Sequence, residues 1–145
     1  MIRRPATLMD VEGIVGMGRR FMAQTVYRGK LADNPAQLRA LATHLIESVD
    51  GDVIVAEDDS GLVGMIAVLA YTHHMSGERI AGEVAWWVEP TRRGIGIRLL
   101  KDAERWAREK GATHLQMIAP SNDVEALYER LGYEPVERTY QRRLM

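Results

Sequence analysis

A chain of 145 residues has the size of one domain, and we expect residues 1–145 to fold as a single unit. Its net charge of -1 gives no overall attraction for nucleic acid or an anionic membrane, and it contains no cysteine, which excludes disulfides, thiolate catalysis and cysteine-bound metal. No stretch approaches the roughly 20 apolar residues of a membrane span. We therefore expect a cytoplasmic protein that contacts no membrane and holds no metal.

Hydrophobic periodicity and turn residues divide the chain into short helices and strands. The Thr7-x-x-Asp10 pattern is typical of a capping box at a helix start. Asn34-Pro35 is typical of the N-cap and first position of a second helix. In chain order we predict a strand at 2–4, a helix at about 7–24, a helix at 35–49, strands at 53–56, 62–72 and 83–88, a helix at 96–110, a strand at 113–118, a short helix at 124–131 and a final strand at 133–142.

The predicted fold class is α+β: a central, mostly antiparallel mixed sheet with one parallel strand–helix–strand crossover and helices on both faces. Trp86 and Trp87 are neighbours on the central strand and must point to opposite faces, so both faces need a cover. On the helix at 96–110, the apolar residues should face inward, and Asp102 is predicted to face outward or flank them. The final strand is predicted to lie antiparallel at an edge or inserted in the sheet.

The segment after the central strand has the features of an anion site. Pro90 ends the strand, and Arg92-Arg93-Gly94-Ile95-Gly96 turns the chain into a helix. We expect the two glycines to allow positive φ and close approach of a ligand. Unpaired N–H groups and the dipole at the helix start favour a phosphate, and the arginines add full charges. The alternative is a plain strand-to-helix turn. A P-loop is excluded because no Lys-Ser/Thr follows Gly96, and a dinucleotide fingerprint because its third glycine is missing.

At these residues the chain resembles the GNAT superfamily of acyl-CoA-dependent N-acetyltransferases. The matching pieces are Glu83-Val84, Val88-x-Pro90, the Arg-Arg-Gly-Ile-Gly turn followed by Leu99-Leu100, and the segment ALYERLGY at 126–133. The first position of the family pattern Gln/Arg-x-x-Gly-x-Gly/Ala falls on Thr91. The resemblance implies direct transfer of an acetyl group from acetyl-CoA to a primary amine in a ternary complex, with a small-molecule or peptide amine as acceptor.

The resemblance also implies roles for individual residues. Glu83 stands where the family often carries a glutamate base; the alternatives are a solvated glutamate at the strand start, Glu78 as base, or a relay through water. Tyr128 matches the tyrosine acid of the family; the alternative is a core tyrosine. The residues implied to bind the acyl-CoA are Trp87, Val88, Arg92, Arg93, Gly94, Ile95, Gly96, Ile97, Arg98 and Asn122.

On the acceptor side, the family uses the connection between its first two helices, here residues 25–33, with Tyr27 and Arg28 as exposed candidates. No acidic cluster in this connection marks a groove for a polyamine or an aminoglycoside. Edge strands of such small enzymes commonly pair, which leaves a homodimer open.

Two other functions stay open. One is a non-catalytic acyl-CoA-binding module. The other is a toxin-type acetyltransferase of charged tRNA; the near-neutral charge argues against it, whereas Arg138, Arg142 and Arg143 near the C-terminus favour it.

His73 and His74 are adjacent in the sequence. On a strand they would face opposite ways and could not readily share one metal. We interpret them as loop or strand-end histidines, one of which is a secondary candidate for contacting the acceptor.

Overall fold

The computed structural model describes residues 1–145, with the exception of the Arg93 side chain. The strands are β1 (Ile2–Pro5), β2 (Gly51–Asp58), β3 (Gly61–Thr72), β4 (Arg79–Val88) and β5 (Leu115–Gln116). The α-helices are α1 (Val11–Gln24), α2 (Pro35–Glu47), α3 (Gly96–Glu109) and α4 (Asn122–Arg130). Short 3-10 helices at Leu8–Asp10 and Pro90–Ile95 lead into α1 and α3.

Local sequence signals start and stop several of these helices. The predicted capping box is present, because the Thr7 hydroxyl accepts from Met9 N–H while the Asp10 carboxylate accepts from Thr7 N–H at 2.8 Å. Asn34 caps α2 by accepting from Gln37 N–H at 3.0 Å. Gly111 follows α3 with a φ of 76°, as expected after a helix end.

The sheet has the order β1-β2-β3-β4-β5. The first three pairings are antiparallel, and β4 pairs with β5 in parallel. The chain passes from β4 to β5 through α3, so the predicted mixed sheet with one parallel crossover is confirmed. Among the described residues, no helix combines the length and apolar composition that crossing a bilayer requires.

Helices cover both faces of the sheet. Trp86 packs against the core that includes Leu99 on α3, whereas Trp87 packs against the core that includes Met17 on α1 and Leu45 on α2. This confirms that the two tryptophans point to opposite faces. We refer to these faces below as the α3 face and the α1 face.

A β-bulge in β4 re-aims the residues around Glu83. In the pairing with β3, Ala67 lies opposite Ala85 and Val68 lies opposite Glu83, so Val84 is the extra residue. Val84 and Ala85 consequently both pack on the α1 face. Glu83 lies two positions after Ala81, which packs on the α3 face, and strand alternation therefore directs the Glu83 side chain to the α3 face.

The sheet opens between its two parallel strands. β4 and β5 pair only at Ala81↔Leu115 and Gly82↔Gln116, so β5 is shorter than the predicted strand at 113–118. β4 continues to Val88, where its other edge still pairs with β3. From Glu83 onward the edge of β4 that faces β5 has no partner strand in the described part of the chain. A gap therefore begins at Glu83.

Two sequence predictions are wrong, one about a strand at 133–142 and one about the orientation of Asp102. Residues 133–142 form no strand in the described structure, and Val136 and Tyr140 within them are exposed. A strand needs a partner ladder, and no neighbouring strand supplies one. Asp102 faces inward rather than outward: it is 8% exposed and accepts a hydrogen bond from Arg3 Nε of β1 at 2.6 Å. Pairing with an arginine ninety-nine positions away is invisible to helical periodicity.

Candidate active site

Glu83 lies at the apex of the gap between β4 and β5, as the first residue of β4 after the last β4–β5 pair. Its side chain is buried, with 8% of the residue exposed. Burial raises the pKa of this carboxyl to about 8, against the opposing effect of a hydrogen bond from the Ile118 backbone. Of the two readings of this residue, the solvated glutamate is therefore excluded. A carboxyl with this pKa exchanges its proton near neutral pH.

Tyr128 approaches the same place from α4. Ser121 caps this helix by accepting from Val124 N–H, and Gly132 follows its end with a φ of 89°. The Tyr128 hydroxyl is buried and donates to the Ile118 carbonyl at 2.9 Å. Burial raises the pKa of this phenol above its usual value, and the nearby Glu83 carboxylate raises it further. Tyr128 is therefore a hydrogen-bond donor throughout the neutral range.

Aromatic rings connect Tyr128 to the start of α3. The rings of Trp86 and Tyr128 stack with centroids 6.0 Å apart, and the Tyr133 and Tyr128 ring centroids lie 5.7 Å apart. A Cβ atom added to Gly96 would come within 3.3 Å of the Trp86 ring. The absence of a side chain at Gly96 therefore lets α3 begin against Trp86.

Neither Gly94 nor Gly96 uses the positive φ that glycine allows. The chain enters α3 through the right-handed 3-10 helix Pro90–Ile95, interrupted only by Arg92 with φ -130° and ψ 35°. The two glycines differ in their surroundings. A Cβ added to Gly94 would meet nothing within 4 Å, whereas one added to Gly96 would press on Trp86. Gly94 thus leaves open surface, and Gly96 allows close packing.

The charged groups of this turn are only partly available to a ligand. The Arg92 Nε donates to Asp58 at 2.8 Å, which ties the turn to the β2–β3 connection. Hydrogen bonds from Ser60, and then from Arg92, lower the pKa of Asp58 to about 2. Arg98 is exposed on the first turn of α3, which begins without a side-chain cap. The predicted role of the Arg93 side chain falls outside the described residues.

A protein-family profile described as the acetyltransferase (GNAT) family matches residues 22–133, more than three quarters of the chain. The chain belongs to the GNAT family of acetyltransferases. A comparison with the curated proteins found no match.

Solved structures show that the whole chain has the fold of other GNAT proteins. The aminoglycoside 6'-N-acetyltransferase AAC(6')-IG from Acinetobacter haemolyticus is 17% identical, with 100% of this chain and 99% of that chain covered and a TM-score of 0.77. The ribosomal-protein-alanine N-acetyltransferase from Brucella melitensis biovar Abortus 2308 is 19% identical, with 99% and 100% covered and a TM-score of 0.73. The aminoglycoside N-acetyltransferase AAC(6')-Iy in complex with CoA is 17% identical, with 99% and 93% covered and a TM-score of 0.79. At these identities the likeness concerns the fold.

The remaining residues that were predicted to contact the acyl-CoA differ in burial and in the face of the sheet on which they lie. Val88 ends β4 beside Gly96, since a Cβ on Gly96 would lie 3.5 Å from Val88 Cγ2. Trp87 packs on the α1 face, away from Glu83. The Ile95 side chain is buried in the core on the α3 face, whereas Ile97 is exposed on the surface. Asn122 is exposed at the first position of α4.

Tyr27 and Arg28 line a groove of about 510 Å³ between α1 and the connection that follows it. We refer to it as the α1 groove, and its lining consists of Gly16, Arg19, Arg20, Met22, Ala23, Tyr27, Arg28, Gly29, Leu31 and Asp33. The sequence prediction missed Arg19 and Arg20. Both lie on the solvent side of α1, where helical periodicity marks charged residues as exposed and does not show that a loop folds back over them.

The groove is tied to its surroundings by ion pairs. Arg19 binds Asp33 within the groove at 2.8 Å, and Arg20 binds Glu89 just after β4. The Tyr27 ring packs beside Phe21 with centroids 5.9 Å apart. These contacts hold the connection against α1 and place one end of the groove beside β4.

The other polar candidates lie at the surface of the GNAT fold. Glu78 accepts a hydrogen bond from the Thr113 hydroxyl at 3.0 Å in an exposed position. His73 and His74 lie in the turn after β3, which confirms the interpretation of both as loop histidines, and their rings stack with centroids 4.9 Å apart. β3 ends at Thr72, and strand alternation does not apply in the turn that follows. His73 accepts from Ser76 N–H at 3.2 Å, which is the behaviour of a turn residue.

Proposed function

We propose that this GNAT protein transfers an acetyl group from acetyl-CoA to a primary amine by direct transfer in a ternary complex. One observation carries the proposal: a buried carboxyl with a pKa of about 8, Glu83, lies at the apex of the gap between β4 and β5 and shares a backbone contact with the Tyr128 hydroxyl. We assign Glu83 the removal of a proton from the amine and Tyr128 a hydrogen bond to the leaving sulfur.

The Glu83 carboxylate is the proposed general base. An alkylamine has a pKa near ~10.4 and is mostly protonated at neutral pH, so it must lose a proton before it attacks. A carboxylate with an ordinary pKa is a weak base for this task, whereas burial makes Glu83 a stronger one. The proton passes to Glu83 directly or through one water molecule.

In the transfer step, the neutral amine nitrogen forms a bond to the thioester carbonyl carbon. The tetrahedral intermediate then collapses, the carbon–sulfur bond breaks, sulfur leaves as a thiolate, and the second proton on the nitrogen passes to solvent or to the thiolate. Backbone N–H groups of β4 beyond Gly82 face the gap without a strand partner, and they are the proposed donors to the carbonyl oxygen.

Tyr128 is the proposed donor to the leaving sulfur. Its raised pKa favours hydrogen-bond donation over complete proton transfer, because a thiolate with a pKa near ~8.5 is a much weaker base than this phenolate. To reach the sulfur, the hydroxyl must turn away from the Ile118 carbonyl. We therefore assign Tyr128 the stabilisation of the thiolate.

The start of α3 is the proposed site for the diphosphate of the acyl-CoA. The open surface at Gly94, the uncapped helix start and the exposed Arg98 support it. Arg92 is engaged with Asp58, so we propose that it holds the turn in place. The acyl arm would then run from this turn past Val88 into the gap, toward Glu83.

A homodimer is the proposed assembly. β5 is an edge strand of the sheet, and residues 133–145, which form no helix or strand, expose Val136, Tyr140 and Leu144. Light scattering on the chromatographed protein tests this, and a mass of one chain at working concentrations would contradict it.

Calorimetry with acetyl-CoA, followed by an assay of free thiol across a broad amine panel, tests the function. We expect binding, and turnover with at least one amine that Glu83→Gln abolishes without loss of acetyl-CoA affinity. Binding without any turnover would instead support an acyl-CoA-binding module. Filter binding of tRNA at moderate salt decides the charged-tRNA alternative.

A further inference from the structure

We propose that the acceptor is a small amine that also carries a carboxylate on an apolar body, as an amino acid does, and that Arg28 binds this carboxylate in the α1 groove. The inference rests on the proposed acetyl transfer and goes further by naming the acceptor class.

The size and lining of the α1 groove suit a small molecule. Its volume of about 510 Å³ lies within the usual range for small-molecule sites, roughly 300–1,000 Å³. Met22, Ala23, Tyr27 and Leu31 give the groove an apolar wall, and Leu31 is 51% exposed. An exposed leucine and a tyrosine ring that line the same groove are suited to the apolar body of a ligand.

The charge of the groove selects against polycations. Its lining contains three arginines and one acidic residue, Asp33, and Glu89 beside the groove pairs with Arg20, which leaves a formal excess of one positive charge. A polyamine or an aminoglycoside would be repelled, whereas an amine that also carries a carboxylate would be attracted. This separates the chain from the aminoglycoside acetyltransferases whose fold it shares at 17% identity.

Arg28 is the arginine left available in the groove. Arg19 is paired with Asp33 and Arg20 with Glu89. Among the residues that the structure describes, no carboxylate pairs with Arg28, although it lies in the groove wall. A guanidinium presents a planar pair of donors that matches a carboxylate in a bidentate hydrogen bond.

The route of the acceptor amine to Glu83 depends on the gap in the sheet. The α1 groove lies on the α1 face, whereas Glu83 points to the α3 face. The gap that begins at Glu83 is the opening between the two faces, and the Arg20–Glu89 ion pair places one end of the α1 groove beside β4. In this proposal the amine of the ligand enters the gap from that end of the groove.

Matched acceptors test the inference. Leucine, methionine and phenylalanine are each compared with the corresponding amide and decarboxylated amine, using wild type, Arg28→Ala, Arg28→Lys and Lys30→Ala. The amide keeps the amine next to a carbonyl and lacks only the negative charge. Lys30 is a matched control because it is an exposed cation two positions away that does not line the groove.

We expect at least one amino acid to have a higher kcat/KM than its amide and its decarboxylated amine. Arg28→Ala should lower that value by about 10- to 100-fold through KM and leave the amide unaffected, with Arg28→Lys in between. Lys30→Ala should behave as wild type.

The inference is overturned if amides or decarboxylated amines are preferred, if Arg28→Ala affects all three members of a set equally, or if amines outside these sets are acetylated and no amino acid is. Calorimetry with acetyl-CoA separates these results from failure of the proposed function. Acetyl-CoA binding and turnover of another amine retain the function while the inference falls, whereas absence of acetyl-CoA binding removes both.

Discussion

Glu83 and Tyr128 bind the backbone of the same residue, Ile118. The Tyr128 hydroxyl donates to the Ile118 carbonyl at 2.9 Å, and the Ile118 backbone hydrogen-bonds to the Glu83 carboxylate. Ile118 follows β5, so the segment after this short strand joins the proposed base on β4 to the proposed donor on α4.

The rate of acetylation should depend on the ionisation of Glu83. We expect kcat/KM to rise with pH through an apparent pKa near 8, because only the carboxylate can accept the amine proton. In Glu83→Gln the rise of kcat/KM with pH should disappear. Its kcat should be lower by at least about 100-fold, the usual size of a general-base contribution. pH–rate profiles with amines of different pKa check the assignment. If the apparent pKa of the profile follows the pKa of the amine in every case, the ionising group is the substrate and not Glu83.

The free energy of unfolding should also depend on the ionisation of Glu83, but it should fall with rising pH where the rate rises. Its folded-state pKa is raised from 4.5 to about 8, so between these values the unfolded chain has lost a proton that the folded chain still holds. The free energy of unfolding should therefore fall as pH rises from 4.5 to 8 and change no further above that range. The loss should be on the order of a few kcal/mol.

Urea unfolding of wild type and Glu83→Gln at several pH values measures this trend. The variant should lack the fall. The pKa values of Asp10 and Asp58 are lowered, so their contributions change at lower pH. Burial raises the pKa of Asp52, but this contribution is common to both proteins, so the difference between their curves reports Glu83. Parallel stability curves for the two proteins would refute a raised pKa at Glu83.

Removal of the Tyr128 hydroxyl should slow turnover more than it weakens acyl-CoA binding. Tyr128→Phe leaves the Ile118 carbonyl without its partner, which should also lower stability by about 1–3 kcal/mol. Tyr133→Phe is the matched control, since Tyr133 lies 5.7 Å away in the same aromatic cluster and has no role in the proposed chemistry. An unchanged kcat for Tyr128→Phe would remove Tyr128 from the mechanism.

The two glycines before α3 should respond differently to substitution. Gly94 faces open space, so Gly94→Gln should leave the thermal transition unchanged and weaken acetyl-CoA binding by occupying the proposed diphosphate surface. Gly94→Ala, with a much smaller side chain, is its control. Calorimetry and thermal unfolding together measure both effects, and normal acetyl-CoA affinity of Gly94→Gln would move the diphosphate elsewhere.

Gly96→Val should act through packing. Even a Cβ would lie 3.3 Å from the Trp86 ring, which itself stacks on Tyr128. We expect a loss of about 1–3 kcal/mol in the free energy of unfolding, as in other overpacked cores. A loss of acetyl-CoA binding in this variant alone would therefore not locate the acyl-CoA site. Stability close to that of wild type would show that the Trp86 ring moves to make room for the valine side chain.

Local patterns in the sequence were sufficient for the order of the elements and the helix caps. The Thr7–Asp10 capping box, the Asn34 cap and the opposite faces of Trp86 and Trp87 each depend on residues a few positions apart, and the structure confirms them. The strand–turn–helix after Glu83 was recognisable for the same reason.

The tertiary structure decided everything that depends on residues distant in the chain. The raised pKa of Glu83 comes from the elements that bury it, and the Arg92–Asp58 and Asp102–Arg3 pairs join positions that are remote in sequence. Residues 133–142 were predicted to form a strand and form none, because a ladder needs a neighbouring strand that local sequence does not reveal. The sequence by itself thus determined the local conformations and their order, whereas burial and partner choice arose only when distant segments packed together, since both depend on which atoms replace water around a group.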